Sequence, residues 1–233
     1  MTRVEKLVLW DIDGTLVDSA KLGRDLFTDA FERVTGAPPT RLVPFAGRTD
    51  LEIALDLLER AGIEAADGLL ERFGAELHRA MEDRRAELRI RGRAYPGARE
   101  SLARVGREPG VAQSLLTGNI APNAEVKLSA FGLDRLLDLE IGAYGSDHRR
   151  RGCLVAVALE KCARKHAVAL EAANAVLVGD TPLDVAAARE GGARCVGVAT
   201  GPYGRDELAA AGADVVLGDL RDTDAVLRAV MER

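Results

Sequence analysis

Four consecutive apolar residues, Leu7-Val8-Leu9-Trp10, run directly into Asp11-Ile12-Asp13-Gly14-Thr15. A short apolar run without alternation suits a strand buried on both faces, which is the environment of a parallel sheet. Open α/β sheets bind their ligands just beyond the carboxyl ends of the strands. Two carboxylates at i and i+2 in that place form a hard-oxygen site suited to Mg2+. Gly14 permits the sharp exit from the strand that such a loop needs. Asp and Gly are also ordinary turn residues, so the motif gains weight only from the remainder of the chain.

Three more apolar runs end in polar clusters. Val111 to Leu116 leads to Thr117-Gly118-Asn119, and Ala175 to Val178 leads to Gly179-Asp180 with Asp184 beyond. Leu139 to Ala143 reads as a weaker strand, followed by Tyr144-Gly145-Ser146-Asp147 and the basic run His148 to Arg151. Cys195–Val198 and Asp214–Leu217 complete the strands. Helical patterns separate them near Ala98–Val105, Pro122–Ala130 and Leu154–His166, and Pro182 stands at a first helical position. This alternation predicts a doubly wound parallel sheet, an α/β fold with a Rossmann-like core.

Residues 18–93 break the rhythm. Leu22, Leu26, Phe27, Ala30, Phe31 and Val34 fall on one helical face. Thr49-Asp50-Leu51-Glu52 reads as a capping box opening a second helix, and a third pattern carries Leu69, Leu70, Phe73, Leu77 and Met81. No strand pattern stands out, and the segment is too long for a loop. It is expected to be an all-helical cap inserted into a core formed by residues 1–17 and 94–233.

Composition narrows the partners. The 233 residues are 47% hydrophobic and 30% charged, with a net charge of −5. That balance favours neither nucleic acid nor an anionic membrane. No apolar run approaches the roughly 20 residues of a membrane helix, and the N-terminal residues lack a signal-peptide pattern. Cys153, Cys162 and Cys195 suit neither a disulfide framework nor a metal-binding pair. A cytoplasmic monomer or homodimer acting on a small molecule is the expectation.

In a parallel sheet the four clusters share one edge. They offer two acidic positions for a cation, a hydroxyl beside exposed amides, a basic side chain and a third acidic cluster, an inventory fit for phosphoryl transfer. DIDGT (Asp11 to Thr15), LLTGN (Leu115 to Asn119) and VGDTPLD (Val178 to Asp184) resemble the motifs of the haloacid dehalogenase superfamily, and specifically its phosphatases with an inserted helical cap, of the phosphoglycolate phosphatase type. The resemblance covers nearly the whole chain. It implies a Mg2+-dependent phosphatase acting on a small phosphorylated metabolite. Asp11 would be nucleophile and metal ligand. Asp13 would be general acid and base, with its backbone carbonyl on the metal. Thr117, with the amides of Gly118 and Asn119, would hold phosphoryl oxygens. Asp180 would be the other metal carboxylate, with Asp184 ordering the metal's surroundings.

The third family motif usually carries Lys before the Leu154 helix. Here Arg151 falls at that position and Lys161 is a weaker substitute. A carboxylic acid at position 13 serves an alkoxide leaving group and not a halide, which favours ester hydrolysis. Arg48, before the second cap helix, is a candidate for an anionic substrate group. A phosphomutase or another phosphotransferase on the same fold, or a non-catalytic metal-binding member, remains an alternative.

Overall fold

The computed structural model describes residues 3–232. The chain enters as β1 (Lys6–Trp10) and passes through the two-residue strand β2 (Val17–Asp18). Four helices follow: α1 (Leu22–Thr35), α2 (Asp50–Arg60), α3 (Leu69–Asp83) and α4 (Arg85–Arg91). The strand β3 (Arg93–Ala94), the helix α5 (Ala98–Val105), β4 (Val111–Leu115) and α6 (Ala121–Ala130) return the chain to the sheet. Then come α7 (Leu154–His166), β5 (Ala175–Gly179), α8 (Pro182–Glu190), β6 (Arg194–Val198), α9 (Arg205–Ala211), β7 (Val215–Leu217) and α10 (Thr223–Met231).

The sheet is five-stranded and parallel in the order β4-β1-β5-β6-β7. The interior strand β1 shows why an unbroken apolar run is needed. Val8 and Trp10 bury against α5, α6 and α10, while Leu7 and Leu9 bury on the other face against α7 and α8. Each such side chain contributes about 1.5–3 kcal/mol by leaving water. The chain crosses from β1 to β4 on one side and then returns past β1 to β5 on the other, so the strand order reverses at β1. The crevice therefore opens at the carboxyl end of β1.

The helical segment has an apolar cluster of its own, built from Leu22, Phe27, Phe31, Leu57, Phe73 and Met81 among others. That cluster continues into Ile120 and Val126 at the top of the sheet domain. Sequence periodicity runs the third helix on to Arg93; the chain instead breaks at Arg84 into α3 and α4. Both chain crossings into the segment pair as an antiparallel ribbon, Val17 with Ala94 and Asp18 with Arg93, braced by an Arg93–Asp18 ion pair of 2.9 Å. The ribbon lies where the reading of sequence expects no strand, because two residues are too few to leave a periodic trace.

Leu139–Ile141 is a 3-10 turn and not a strand. Asp138 caps it by accepting from the Glu140 N–H (3.2 Å), and the Tyr144 hydroxyl donates to the Leu139 carbonyl (2.7 Å). Only Ala143 reaches the sheet, as a single bridge to Leu116. Among the described residues no helix is long and apolar enough to cross a membrane.

Candidate active site

Register brings the motif residues level. Trp10 pairs with Leu115 on one side and Val178 on the other. Asp11 is the next residue, its N–H donating to the Val178 carbonyl at 2.9 Å. Thr117 and Asp180 follow the neighbouring strands by one or two positions. All three side chains are buried and line one cavity of about 270 Å3 between the sheet and the helical segment.

Asp11, Asp180 and Asp184 each offer a carboxylate oxygen, and these lie within 4.8 Å of one another. Arg151 reaches this cluster from the turn before α7. One guanidinium nitrogen stands 3.0 Å from Asp11 and 2.5 Å from Asp184, and another donates to the Gly47 carbonyl (3.1 Å). Arg151 is 8% exposed, so its charge is retained only because it is paired. Lys161, in contrast, turns to Asp147 (2.7 Å) and the Gly142 carbonyl (2.8 Å), away from the cluster. Three carboxylates against one guanidinium leave excess negative charge. Burial pushes the Asp11 carboxyl upward against the pull of Arg151, with Asp184 and Asp13 adding to the rise. Burial likewise pushes Asp180 well above the carboxylate range, reinforced by Asp184 and Asp11.

Helix α8 explains how Asp184 is held. Thr181 caps it by accepting from the Asp184 N–H (3.2 Å), and the Asp184 carboxylate accepts from the Thr181 N–H (3.0 Å) and hydroxyl (2.7 Å). Both Asp184 oxygens are thus committed, one to Thr181 and one to Arg151. Asp180 sits in a cleft only glycines allow. A Cβ on Gly14, whose φ is +87°, would lie 2.2 Å from its carboxylate, and one on Gly201 would lie 1.7 Å away. The Thr15 hydroxyl donates to it at 3.1 Å.

Asp13 points elsewhere. Its carboxylate accepts from the Lys127 ammonium (2.5 Å), the Asn119 amide (2.8 Å) and the Ser19 hydroxyl. Burial raises this carboxyl, but the Lys127 charge with the bonds from Lys127, Ser19 and Asn119 outweighs it, and the group is held below the ordinary range. Lys127 also donates to the Asn119 carbonyl oxygen (2.6 Å). Reasoning from sequence missed Lys127 and Ser19. A signal existed: Asn119, Asn123 and Lys127 recur every four residues, one face of a helix and its approach. A polar stripe usually faces solvent; this one faces the cavity.

Thr117 is fully buried, and its hydroxyl oxygen accepts from the Asn119 side-chain amide (2.8 Å) and N–H (3.3 Å). Asn119 therefore organises Thr117 and Asp13 through its side chain. Gly118 lets the helical segment come close: a Cβ there would meet the Arg48 carbonyl at 2.0 Å. The same loop is latched by the Asp50 N–H to the Gly118 carbonyl (2.8 Å), the Ile120 N–H to the Asp50 carboxylate (2.8 Å) and the Thr49 hydroxyl to the Arg149 carbonyl (2.7 Å). Thr49 caps α2 as its sequence suggests, but Glu52 turns to Arg48 instead of closing the box. Arg48 lines the cavity, yet its guanidinium is engaged by Glu52 and Asp56, each at 3.0 Å, and by the Pro44 carbonyl. It is a tie inside the helical segment. His78, without a partner in the sequence pattern, bonds Asn123 at 3.0 Å. Cys162 and Cys195 are buried free thiols and Cys153 is half-buried.

A sequence profile of the haloacid dehalogenase-like hydrolases matches residues 8–189. A validoxylamine A 7'-phosphate phosphatase of Streptomyces hygroscopicus subsp. limoneus is 29% identical, with 93% of this chain and 95% of the relative covered. A phosphoglycolate phosphatase of Cupriavidus necator is also 29% identical, over 94% of this chain and 92% of the relative. Among solved structures, CbbY from Rhodobacter sphaeroides in complex with phosphate superposes with a TM-score of 0.71 at 19% identity, covering 96% of this chain and 99% of that one.

Proposed function

Because the chain belongs to the haloacid dehalogenase-like hydrolases, we propose that it is a cytoplasmic Mg2+-dependent phosphatase hydrolysing a small phosphorylated metabolite through a phosphoenzyme on Asp11. One arrangement carries the reading. Asp11, at the end of β1, stands 3.0 Å from Arg151 within a buried acidic cluster that opens on a cavity shared with Asp13 and Thr117. The similarity to named phosphatases along nearly the full chain supports it.

The residues suit a hard divalent cation. Their donors are carboxylate oxygens, and their uncompensated charge is what such an ion relieves. Since both Asp184 oxygens are committed, Asp11 and Asp180 would hold Mg2+ with the Asp13 backbone carbonyl, and Asp184 would order them through Arg151 and Thr181. Bound there, Mg2+ would reduce repulsion between carboxylate and phosphate dianion and act as Lewis acid.

An Asp11 oxygen attacks phosphorus, and the phosphorus–ester oxygen bond breaks as the acyl phosphate forms. The departing alkoxide takes its proton from Asp13. Asp13, ionised in the free protein beside the Lys127 ammonium, gains that proton from solvent as the dianionic substrate binds, because the added negative charge offsets the ammonium. Asp13, now a carboxylate, takes a proton from water as the water oxygen bonds phosphorus. The bond from Asp11 to phosphorus breaks and inorganic phosphate leaves. Arg151 steadies the charge on Asp11 throughout, and the Thr117 hydroxyl holds a phosphoryl oxygen. The helical segment serves as the cap that excludes bulk water.

Phosphate release from a metabolite panel is expected with Mg2+ and is expected to stop in EDTA. Turnover undiminished by chelation would refute the metal assignment, and no release from any ester would refute the phosphatase reading. A second expectation concerns Gly201. Gly201→Ala forces the Asp180 carboxylate out of its cleft. It should lower kcat/KM on the order of a hundredfold, as loss of an electrostatic group in an active site does. The Mg2+ concentration giving half-maximal rate should rise with an unchanged circular dichroism spectrum. Wild-type Mg2+ dependence in that variant would remove Asp180 from the metal site.

A further inference from the structure

The wall that the helical segment gives the cavity is hydrocarbon. Leu26 and Phe27 of α1, Phe45 before α2, Ile53 of α2, and Leu77 and Met81 of α3 line it. Phe27 and Phe45 meet edge to face with ring centroids 5.2 Å apart. Two buried polar side chains adjoin this hydrocarbon: Asp50 of α2, which accepts from the Ile120 N–H, and, from the sheet domain, Asn123 of α6, which is bonded to His78.

The cations that line the cavity are already used. Arg48 is held by Glu52 and Asp56, Lys127 by Asp13, and Arg151 by Asp11 and Asp184. Lys21 is the other lining cation among the described residues, and it is exposed at the start of α1. A second anionic group on the substrate, carboxylate or phosphate, would lie against hydrocarbon and the Asp50 carboxylate with no buried cation free to receive it. Burying a charge without a partner is unfavourable. A neutral ring in the same place gains from leaving water.

We infer that the substrate, on the phosphatase reading above, is the phosphate monoester of an uncharged alcohol with an apolar face about one ring in size. The phosphoryl group sits over Asp11, the apolar face rests on Phe27, Phe45 and Ile53, and a further hydroxyl, where present, donates to Asp50. The volume of about 270 Å3 is at the small end for a ligand pocket, which matches a phosphoryl group plus one ring and leaves no room for a second large group.

The test compares kcat/KM, with Mg2+, for benzyl phosphate, glycerol 3-phosphate and phosphoglycolate. Benzyl phosphate is expected to exceed phosphoglycolate by at least tenfold and to exceed glycerol 3-phosphate as well. Phosphoglycolate equal to or better than benzyl phosphate overturns the inference and leaves the phosphatase reading standing. Hydrolysis of none of the three, nor of a wider panel, sinks both. A variant tests the wall directly. Phe45 is only half-buried, so Phe45→Arg is tolerable and gives the cavity an unpaired cation. It is expected to raise the phosphoglycolate-to-benzyl phosphate ratio at least tenfold. A folded variant with an unchanged ratio also overturns the inference; if it does not fold, the wild-type ranking decides.

Discussion

Asp11→Asn protein folds and releases no measurable phosphate: kcat falls by at least about 10⁴-fold, the scale on which loss of a nucleophile acts. An amide cannot form the bond to phosphorus, and the substitution also removes one of the two carboxylates available to Mg2+. The fold tolerates the change because Asp11 is one of three crowded acids and Arg151 keeps Asp184 at 2.5 Å. In metal-free buffer the melting temperature is expected to equal or exceed that of the unaltered protein, because burial and neighbouring acids already disfavour a charged Asp11. Mg2+ is expected to raise the melting temperature of the unaltered protein and to raise that of the variant less. Steady-state phosphate release and thermal melts with and without Mg2+ decide the matter. A variant retaining more than roughly one hundredth of the turnover would exclude a nucleophilic role.

Lys127→Met is the second large effect. The ammonium holds Asp13 and Asn119 in place at 2.5 and 2.6 Å, and its loss leaves the acid–base group without orientation. General acid–base catalysis is worth about 10²–10⁴-fold, and kcat is expected to fall within that range while KM moves only a few-fold. A drop confined to KM would mean that Lys127 binds substrate instead. Stability carries a pH signature of defined sign. Asp13 titrates below its ordinary value in the folded protein, so its pairing stabilises the fold above the unfolded carboxyl pKa and is lost as pH falls through the folded value. The variant should therefore melt earlier at neutral pH, and its deficit should shrink on acidification through the carboxylate range. A deficit constant from neutral to acid pH would point to lost packing alone.

Legibility in the sequence depends on how local the determinants are. Asp11, Thr117 and Asp180 each terminate an apolar run, and a parallel sheet leaves such residues one place to go. Arg151 could be located because the family resemblance places a cation shortly before the Leu154 helix, and counting back from that helix reaches it. Lys127 was missed although its four-residue spacing from Asn123 and Asn119 is visible, because only the fold brings that face of α6 to Asp13 from more than a hundred residues away. Ser19, six residues from Asp13, was missed because nothing local marks the turn that folds it back. The destination of Arg48 was equally hidden: Glu52 and Asp56 of the following helix both take hold of it, and only side-chain geometry shows that they do. Leu139 to Ala143 has the alternation of a strand, yet the carboxylate of Asp138 turns the backbone before a ladder can start.

The two-strand ribbon has a consequence for timing. Both crossings are stitched side by side, so a movement of the helices would be a swing, as of a door on a single hinge, more readily than a slide or twist. Asp13 lies at the jamb. Ser19, just past the ribbon, touches it from the moving leaf, whereas Lys127 and Asn119 touch it from the frame. Ala20 and Lys21, with φ of +52° and +62°, form the adjoining bend in a conformation that side chains resist. A swing that carried Ser19 away would break one of the contacts that hold the Asp13 carboxyl low, and closing would restore it. On the phosphatase reading, the proton carrier would be in tune only while the door is shut, so proton transfer would be confined to the enclosure and kept from bulk water.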